Sequence, residues 1–294
     1  MLRKPSVKYG LGSIVDSGLK IAIGGKGGVG KTTVCAVWAQ LFAEKGFDVL
    51  AIDADSNANL ALAFGIAPDQ GPEPLIKMKQ LIAERTGTTR DAPGAYFKLN
   101  PKVSDLPQEY WLEVNAIAGQ TQNGTVSNRL KLLALGAITQ AGAGCACPEG
   151  AFLKAILTHS ILQRQEVVLV DLAAGVEFMG RASVQGIDAL VVVVEPGARS
   201  IETAINIARM AKDMGIKHVA AIANKITKTT QIEAIGSKLT DMTILANIEY
   251  SAVVQEADMR SKAVFEADTK LVEQLRNAME QLMNIVFSKV KDQN

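Results

Sequence analysis

Three cysteines in 294 residues cannot build the disulfide framework on which small secreted domains depend. Charge of one sign is equally wanting. Lys and Arg number 31 against 30 Asp and Glu, a net charge of +1, whereas a broad nucleic-acid footprint needs clustered excess basic charge. No apolar run reaches membrane-spanning length; the longest, such as ALVVVVE over 189–195, suit buried strands. The opening stretch MLRKPSVKYGLGSIVDSGLK has early basic residues but lacks the continuous apolar segment of a signal peptide. These absences predict a soluble protein of a reducing compartment, the cytoplasm, with neither nucleic acid nor membrane as partner.

What is present is a large apolar complement, 48% of the chain, ample for a sizeable core. Short apolar runs at 20–24, 48–53, 129–136, 166–172, 189–195, 218–224 and 243–248 read as strands. Between them lie helical patterns at 32–45, 149–164, 199–214 and 228–239. Strands without polar alternation, separated by helices, predict an α/β fold: one doubly wound, mostly parallel sheet with helices on both faces. Near the C-terminus Leu271, Leu275, Met279, Leu282 and Val286 share one helical face. Their polar face is mixed rather than strongly basic, which predicts a helix packed on the core rather than lying on a membrane. Residues 86–110, rich in Gly, Pro, Thr and Asp, read as an irregular surface insertion. The expected organisation is one domain over 19–294 preceded by an extension, 1–18.

The strongest motif is KIAIGGKGGVGKTT, 20–33. Gly25, four residues, then Gly30-Lys31-Thr32 form a phosphate loop between a strand and a helix. Backbone N–H groups of Gly27, Gly28, Val29, Gly30, Lys31, Thr32 and Thr33 can then face a nucleotide's phosphates at a helix N-terminus. Lys31 is expected on the β- and γ-phosphates and the Thr32 hydroxyl on Mg²⁺. A second lysine, Lys26, lies inside the loop. K-G-G-V-G-K-T-T resembles the deviant phosphate loop of the nitrogenase iron protein, MinD and ParA superfamily. The resemblance implies that Lys26 reaches the partner's phosphates across a nucleotide-sandwich dimer. A cation delivered in this way contributes on the order of 10³-fold or more in rate.

The resemblance extends to DVLAIDADSNANL, 48–60, matching the first switch of that superfamily. Asp55 is then the candidate for orienting the attacking water. Asp53 is either behind the Mg²⁺ shell or structural, since strand-end aspartates are also common turn formers. VVLVDLAAGVE, 167–177, resembles the second switch. It implies that Asp171 holds a water ligand of Mg²⁺ and that the Gly175 N–H faces the γ-phosphate. For the base, Asn224-Lys225-Ile226-Thr227 follows a strand and has Thr where guanine-specific relatives carry Asp. An Asn224 amide can both donate to and accept from adenine, so ATP and ADP are the expected nucleotides.

GAGCACPEGAF, 142–152, places Cys145 and Cys147 just before a helix opened by Pro148. The helix dipole favours thiolates there, and thiolates are soft ligands for zinc, nickel, copper(I) or iron–sulfur clusters. Two cysteines cannot close a four-coordinate site; a twofold dimer supplies four. Cys35, inside the phosphate-loop helix, reads as ordinary packing. His159 and His218 fall in a helix and at a strand start, and neither is assigned as a ligand.

The combination of G-K-G-G-V-G-K-T-T, Cys-x-Cys-Pro-Glu, D-x-x-A-G-V-E and PLIKMKQLIAERTG followed by LNPKVSDLP resembles the CooC-type ATPases that help nickel enter carbon monoxide dehydrogenase. It implies a homodimer binding nickel or zinc through Cys145 and Cys147, with its metal site coupled to ATP state. Two features depart from that pattern. Residues 1–18 have no counterpart, and Phe178 follows Glu177 where the family often has His, which suggests a branch with another target such as acetyl-CoA synthase. Two other functions remain open on sequence: an iron-protein-like reductase with an intersubunit [4Fe–4S] cluster, and a MinD- or ParA-type positioning ATPase.

Overall fold

The computed structural model describes residues 18–55, 59–88, 97–114, 120–121, 124–125, 130–136, 148–159, 166–173 and 186–288. Its strands are β1 (Leu19–Gly24), β2 (Asp48–Ala54), β3 (Leu112–Val114), β4 (Gln120–Thr121), β5 (Gly124–Thr125), β6 (Leu130–Ala134), β7 (Glu166–Leu172), β8 (Ala189–Val194), β9 (His218–Ile226) and β10 (Thr243–Glu249). Among the described residues eight of them form one sheet in the order β10-β9-β8-β1-β7-β2-β6-β3, and β4 and β5 pair by themselves. Every neighbouring pair in the large sheet is parallel except β3 with β6. The expected doubly wound parallel sheet is therefore present.

Helices cover both faces: α1 (Lys31–Glu44), α2 (Leu60–Ala63), α3 (Lys79–Thr86), α4 (Leu106–Tyr110), α5 (Pro148–His159), α6 (Ala198–Asp213), α7 (Thr229–Gly236), α8 (Ala252–Met259), α9 (Val264–Ala267) and α10 (Thr269–Phe287). The central strands β1, β7 and β8 are largely apolar because each serves two cores. Ile21 and Ile23, Val167 and Leu169, Val191 and Val193 point into one core with α1 and α10. Ala22, Val168 and Val170, Leu190 and Val192 point into the other with α5 and α6. This is the period-two division expected of a sheet buried on both sides.

The C-terminal stripe packs on the core as expected. Leu271, Leu275, Met279 and Leu282 are buried, and Val286 packs partly buried at the edge of the same cluster. Trp38 Nε1 donates to Leu275 O at 3.0 Å, tying α10 to the phosphate-loop helix. No helix among the described residues is long and apolar enough to cross a membrane.

Three differences from the sequence reading have local causes. Strand β3 pairs at the sheet edge although three residues are too short to show a pattern; the Lys131 ammonium stands 3.7 Å over the Trp111 ring beside it. The insertion expected over 86–110 is not wholly irregular, since Leu106 is buried and opens the short α4. Helices α2 and α9, four residues each, are too short for a 3.6-residue period to stand out. The extension before residue 18 lies outside the described residues.

Candidate nucleotide site

The site lies at the carboxyl ends of the strands, where β1 stands between β7 and β8. The chain passes from β1 to one side of the sheet and later returns to the other, and open α/β sheets bind ligands in such a crevice. Here β1 ends at Gly24 and α1 begins at Lys31. Two glycines in between are required, Gly25 by space and Gly30 by its left-handed backbone. Gly25 has φ +142°, and a Cβ there would meet Val193 O at 2.3 Å. Gly30 has φ +101°, and its Cβ would lie 2.5 Å from Asn224 Nδ2. The N-terminus of α1 has no side-chain cap and no acidic residue in its first turn, so its N–H groups are left for an anion.

Around this turn the expected side chains converge. Lys31 is buried, and its Nζ donates to Lys26 O at 3.2 Å. Burial lowers its pKa, opposed by Asp171 and Asp55 nearby. The Thr32 hydroxyl donates to Asp171 Oδ2 at 2.6 Å, while buried Asp171 Oδ1 has no hydrogen-bond partner. Burial pushes Asp171 up to about 7, against the Thr32 bond and with help from Asp53. An orphaned, desolvated carboxylate oxygen beside a hydroxyl at a helix N-terminus is a donor set suited to Mg²⁺, hard and oxygen-seeking.

Asp53 has a different place. Its Oδ1 accepts from Asp55 N at 3.0 Å and its Oδ2 from Leu60 N at 2.8 Å, so both oxygens shape the turn that presents Asp55. Burial holds its carboxyl up near 6 despite those bonds. Those are the bonds of a turn former. Asp55 itself lines the cleft with Gly27, Gly28, Gly30, Lys31, Thr32 and Thr33. Val29 is buried in the core, so only its backbone can serve a nucleotide. Its carbonyl accepts from Asn224 Nδ2 at 2.8 Å.

The cleft runs on for about 710 Å³ between the phosphate loop and the segment after β10, past Asn224, Lys225, Tyr250, Ser251, Gln255 and Asp258. That volume suits a nucleotide-sized ligand. Asn224 Oδ1 accepts from Lys225 N at 2.9 Å, leaving one amide hydrogen and one lone pair for a base. Thr227 is turned away: its N–H and hydroxyl both donate to Gln231 Oε1, at 2.8 and 3.2 Å. The position at which guanine-specific relatives present a carboxylate thus holds a hydroxyl already engaged.

Sequence reasoning passed over Glu195, Lys225, Tyr250 and Gln255. Glu195 Oε1 lies 3.4 Å from Lys26 Nζ and Oε2 lies 3.7 Å from Lys225 Nζ. Lys225, at φ +59°, also donates to Gly28 O. The Tyr250 hydroxyl lies 2.6 Å from Gln255 Oε1 on the far wall. A carboxylate closing an otherwise apolar run was the one available signal, for Glu195. Cys145, Cys147 and Gly175, with Glu177 and Phe178, lie outside the described residues. Among the described residues no three His, Cys, Asp or Glu side chains gather as a metal site. His218 opens β9 at the opposite end of the sheet from the phosphate loop.

A phosphate loop at the switch point of a doubly wound sheet, with Thr32 and Asp171 poised together, defines a nucleoside-triphosphate-hydrolysing protein. Residues 20–265 match the CobQ/CobB/MinD/ParA nucleotide binding domain, and the chain belongs to that family, in its CooC-type branch. It is 37% identical over 250 residues to the carbon monoxide dehydrogenase accessory protein CooC of Rhodospirillum rubrum, covering 84% of this chain and 90% of that one. An uncharacterised ATP-binding protein of Methanocaldococcus jannaschii is 34% identical over 269 residues, 91% of this chain and 98% of that one. In fold the chain is similar to the MinD cell division protein of Aquifex aeolicus, with TM-score 0.61 at 20% identity over 90% of this chain and 97% of that one. It is also similar to the septum site-determining protein MinD of Pyrococcus horikoshii complexed with Mg-ADP, with TM-score 0.60 at 16% identity over 94% and 99%.

Proposed function

We propose that the chain is an ATP-driven metallochaperone that binds nickel or zinc through Cys145 and Cys147 of two subunits and assists maturation of a nickel enzyme, carbon monoxide dehydrogenase or acetyl-CoA synthase. The observation that carries this reading is the 37% identity, over most of both chains, to an accessory protein of carbon monoxide dehydrogenase. Helix α5 opens at Pro148, the residue that follows Cys147 in sequence, and a helix N-terminus favours thiolates beside it.

The residues of the cleft divide the chemistry. The N–H groups around Gly27–Thr33 and the Lys31 ammonium hold the phosphates and orient the γ-phosphoryl group. Thr32 and Asp171 would hold Mg²⁺, which supplies charge neutralisation across the β- and γ-phosphates when bound. Asp55, presented by the Asp53 turn, orients a water. That water forms a bond to γ-phosphorus as the bond to the β–γ bridging oxygen breaks; ADP keeps the bridging oxygen and the water's oxygen leaves in phosphate. Lys26 of the facing subunit stabilises the charge gathering on the transferred group. ATP thereby draws two chains together, alters the four-thiolate cargo site on their axis, and hydrolysis resets it.

The test uses nickel-deficient carbon monoxide dehydrogenase incubated with nickel, ATP and this chain. Activity should appear with the intact chain and fail with Lys31→Ala or with Cys145→Ala/Cys147→Ala. Activation equal in all three would overturn the reading. The same assay with apo acetyl-CoA synthase separates the two targets.

A further inference from the structure

We infer that Glu195 is a latch that holds Lys26 in cis in the separated chain and so sets the protein concentration at which ATP can pair two chains. The inference rests on the proposed role of Lys26 in trans. What the geometry adds is where that lysine waits.

Lys26 stands outside the cleft wall; its backbone carbonyl takes the Lys31 ammonium at 3.2 Å, and its own ammonium turns to Glu195 Oε1 at 3.4 Å. Glu195 is rooted rather than loose. It directly follows β8, the strand paired with β1, and its backbone N donates to the hydroxyl of buried Ser200 at 3.1 Å. Lys26, by contrast, lies on a loop and its side chain is 41% exposed. The backbone beneath the carboxylate is anchored, and the more exposed cation can leave.

The second oxygen of Glu195 faces Lys225 at 3.7 Å, and Lys225 is pinned in turn by its bond to Gly28 O. This shared arrangement makes departure of Lys26 inexpensive. Losing one partner of a partly desolvated carboxylate is costly when the remaining charge is stranded. Here Lys225 stays behind as counter-ion. With Glu195 between them the two ammonium groups tolerate one another; without it they repel, and only Lys26 is free to move away. Glu195 is thus a positioning residue, acting on hydrolysis through Lys26, and it is not among the residues that line the cleft.

Glu195→Gln keeps the shape and removes the charge. Specific ATPase activity, measured against protein concentration at saturating Mg²⁺–ATP, should reach half its plateau at a concentration about two- to tenfold lower than for the intact chain, as expected for releasing two half-exposed ion pairs per dimer. Molar mass with Mg²⁺–ATP should show the same displacement. In a Lys26→Ala background the Glu195→Gln change should leave the molar-mass curve where it is, whereas a general effect on folding or nucleotide binding would carry over. An unchanged or raised half-point for Glu195→Gln, or an equal displacement in the Lys26→Ala background, would overturn the latch. If the intact chain itself remains monomeric with ATP at every concentration while still hydrolysing it, the dimer reading fails, which is a separate and distinguishable result.

Discussion

At the scale of single residues, the nucleotide site is a set of charges held at unusual positions by burial. Lys31 opens α1 with Asp55 and Asp171 close enough to bias its proton. Lys31→Ala should cut ATPase turnover by about 10²-fold or more, the scale on which preorganised charge acts, and nucleotide titration alongside turnover checks it. Asp171, held near 7 by burial, must be ionised to take a cation. Mg²⁺–ADP affinity should therefore rise as pH climbs from about 6 to 8, with a proton released on binding. Calorimetry in two buffers of different ionisation enthalpy reads that proton; a buffer-independent heat and a flat affinity would contradict the assignment.

Lys20 gives an independent check on burial, at the other end of β1. Its ammonium is buried and donates to Leu157 O, near the end of α5, at 3.0 Å. Desolvation lowers its pKa from 10.5 to about 8, with Asp188 opposing. The sign follows from where the protons are. Between about 8 and 10.5 the unfolded chain holds the proton and the folded chain has lost it, so stability rises with pH across that window. Below about 8 both forms are charged and the burial cost is present in full. Lys20→Met should flatten the rise between about pH 8 and 10 in urea midpoints. An equal rise in the variant would place its cause elsewhere.

At the scale of elements, α1 and α10 form one unit. Trp38 bonds to Leu275 O, and the ion pairs Arg276–Glu44 at 3.1 Å and Lys45–Glu280 at 2.9 Å flank it. Those pairs are half-exposed and contribute little; the buried stripe carries the docking. Met279→Ala, at a fully buried position, should cost about 2–5 kcal/mol in denaturant titration. A loss below about 1 kcal/mol would mean the helix is held otherwise. The length and burial of an element also decide whether its sequence betrays it. Seven strands are legible, the central ones because strands buried on both faces are continuous apolar runs. Strand β3 and helices α2 and α9 are not, since a period cannot show in so few residues.

The candidate site divides along the same line. Phosphate-loop chemistry is local in sequence, so Lys31, Thr32 and the glycines can be picked out from their spacing alone. Contacts made only by the fold cannot. Glu195 and Lys26 are separated by 169 positions and meet because β8 pairs with β1. Asp53, paired in sequence with Asp55, satisfies two backbone N–H groups, a distinction that hydrogen bonding alone reveals.

At the scale of the whole molecule, the central claim joins two dimer requirements in one: a lysine that acts across subunits and a pair of thiols that needs a second pair. The measurement that tests it most directly is metal content per chain, by elemental analysis of anaerobically purified protein, together with molar mass in solution with and without ADP or ATP. The account predicts nickel or zinc near one atom per two chains, in a dimer whose metal is lost in Cys145→Ala/Cys147→Ala while nucleotide binding persists. Iron and sulfide near four per dimer would point instead to a cluster-bearing reductase. A metal-free chain that pairs on ATP alone, or a double variant that keeps its metal, would contradict the account.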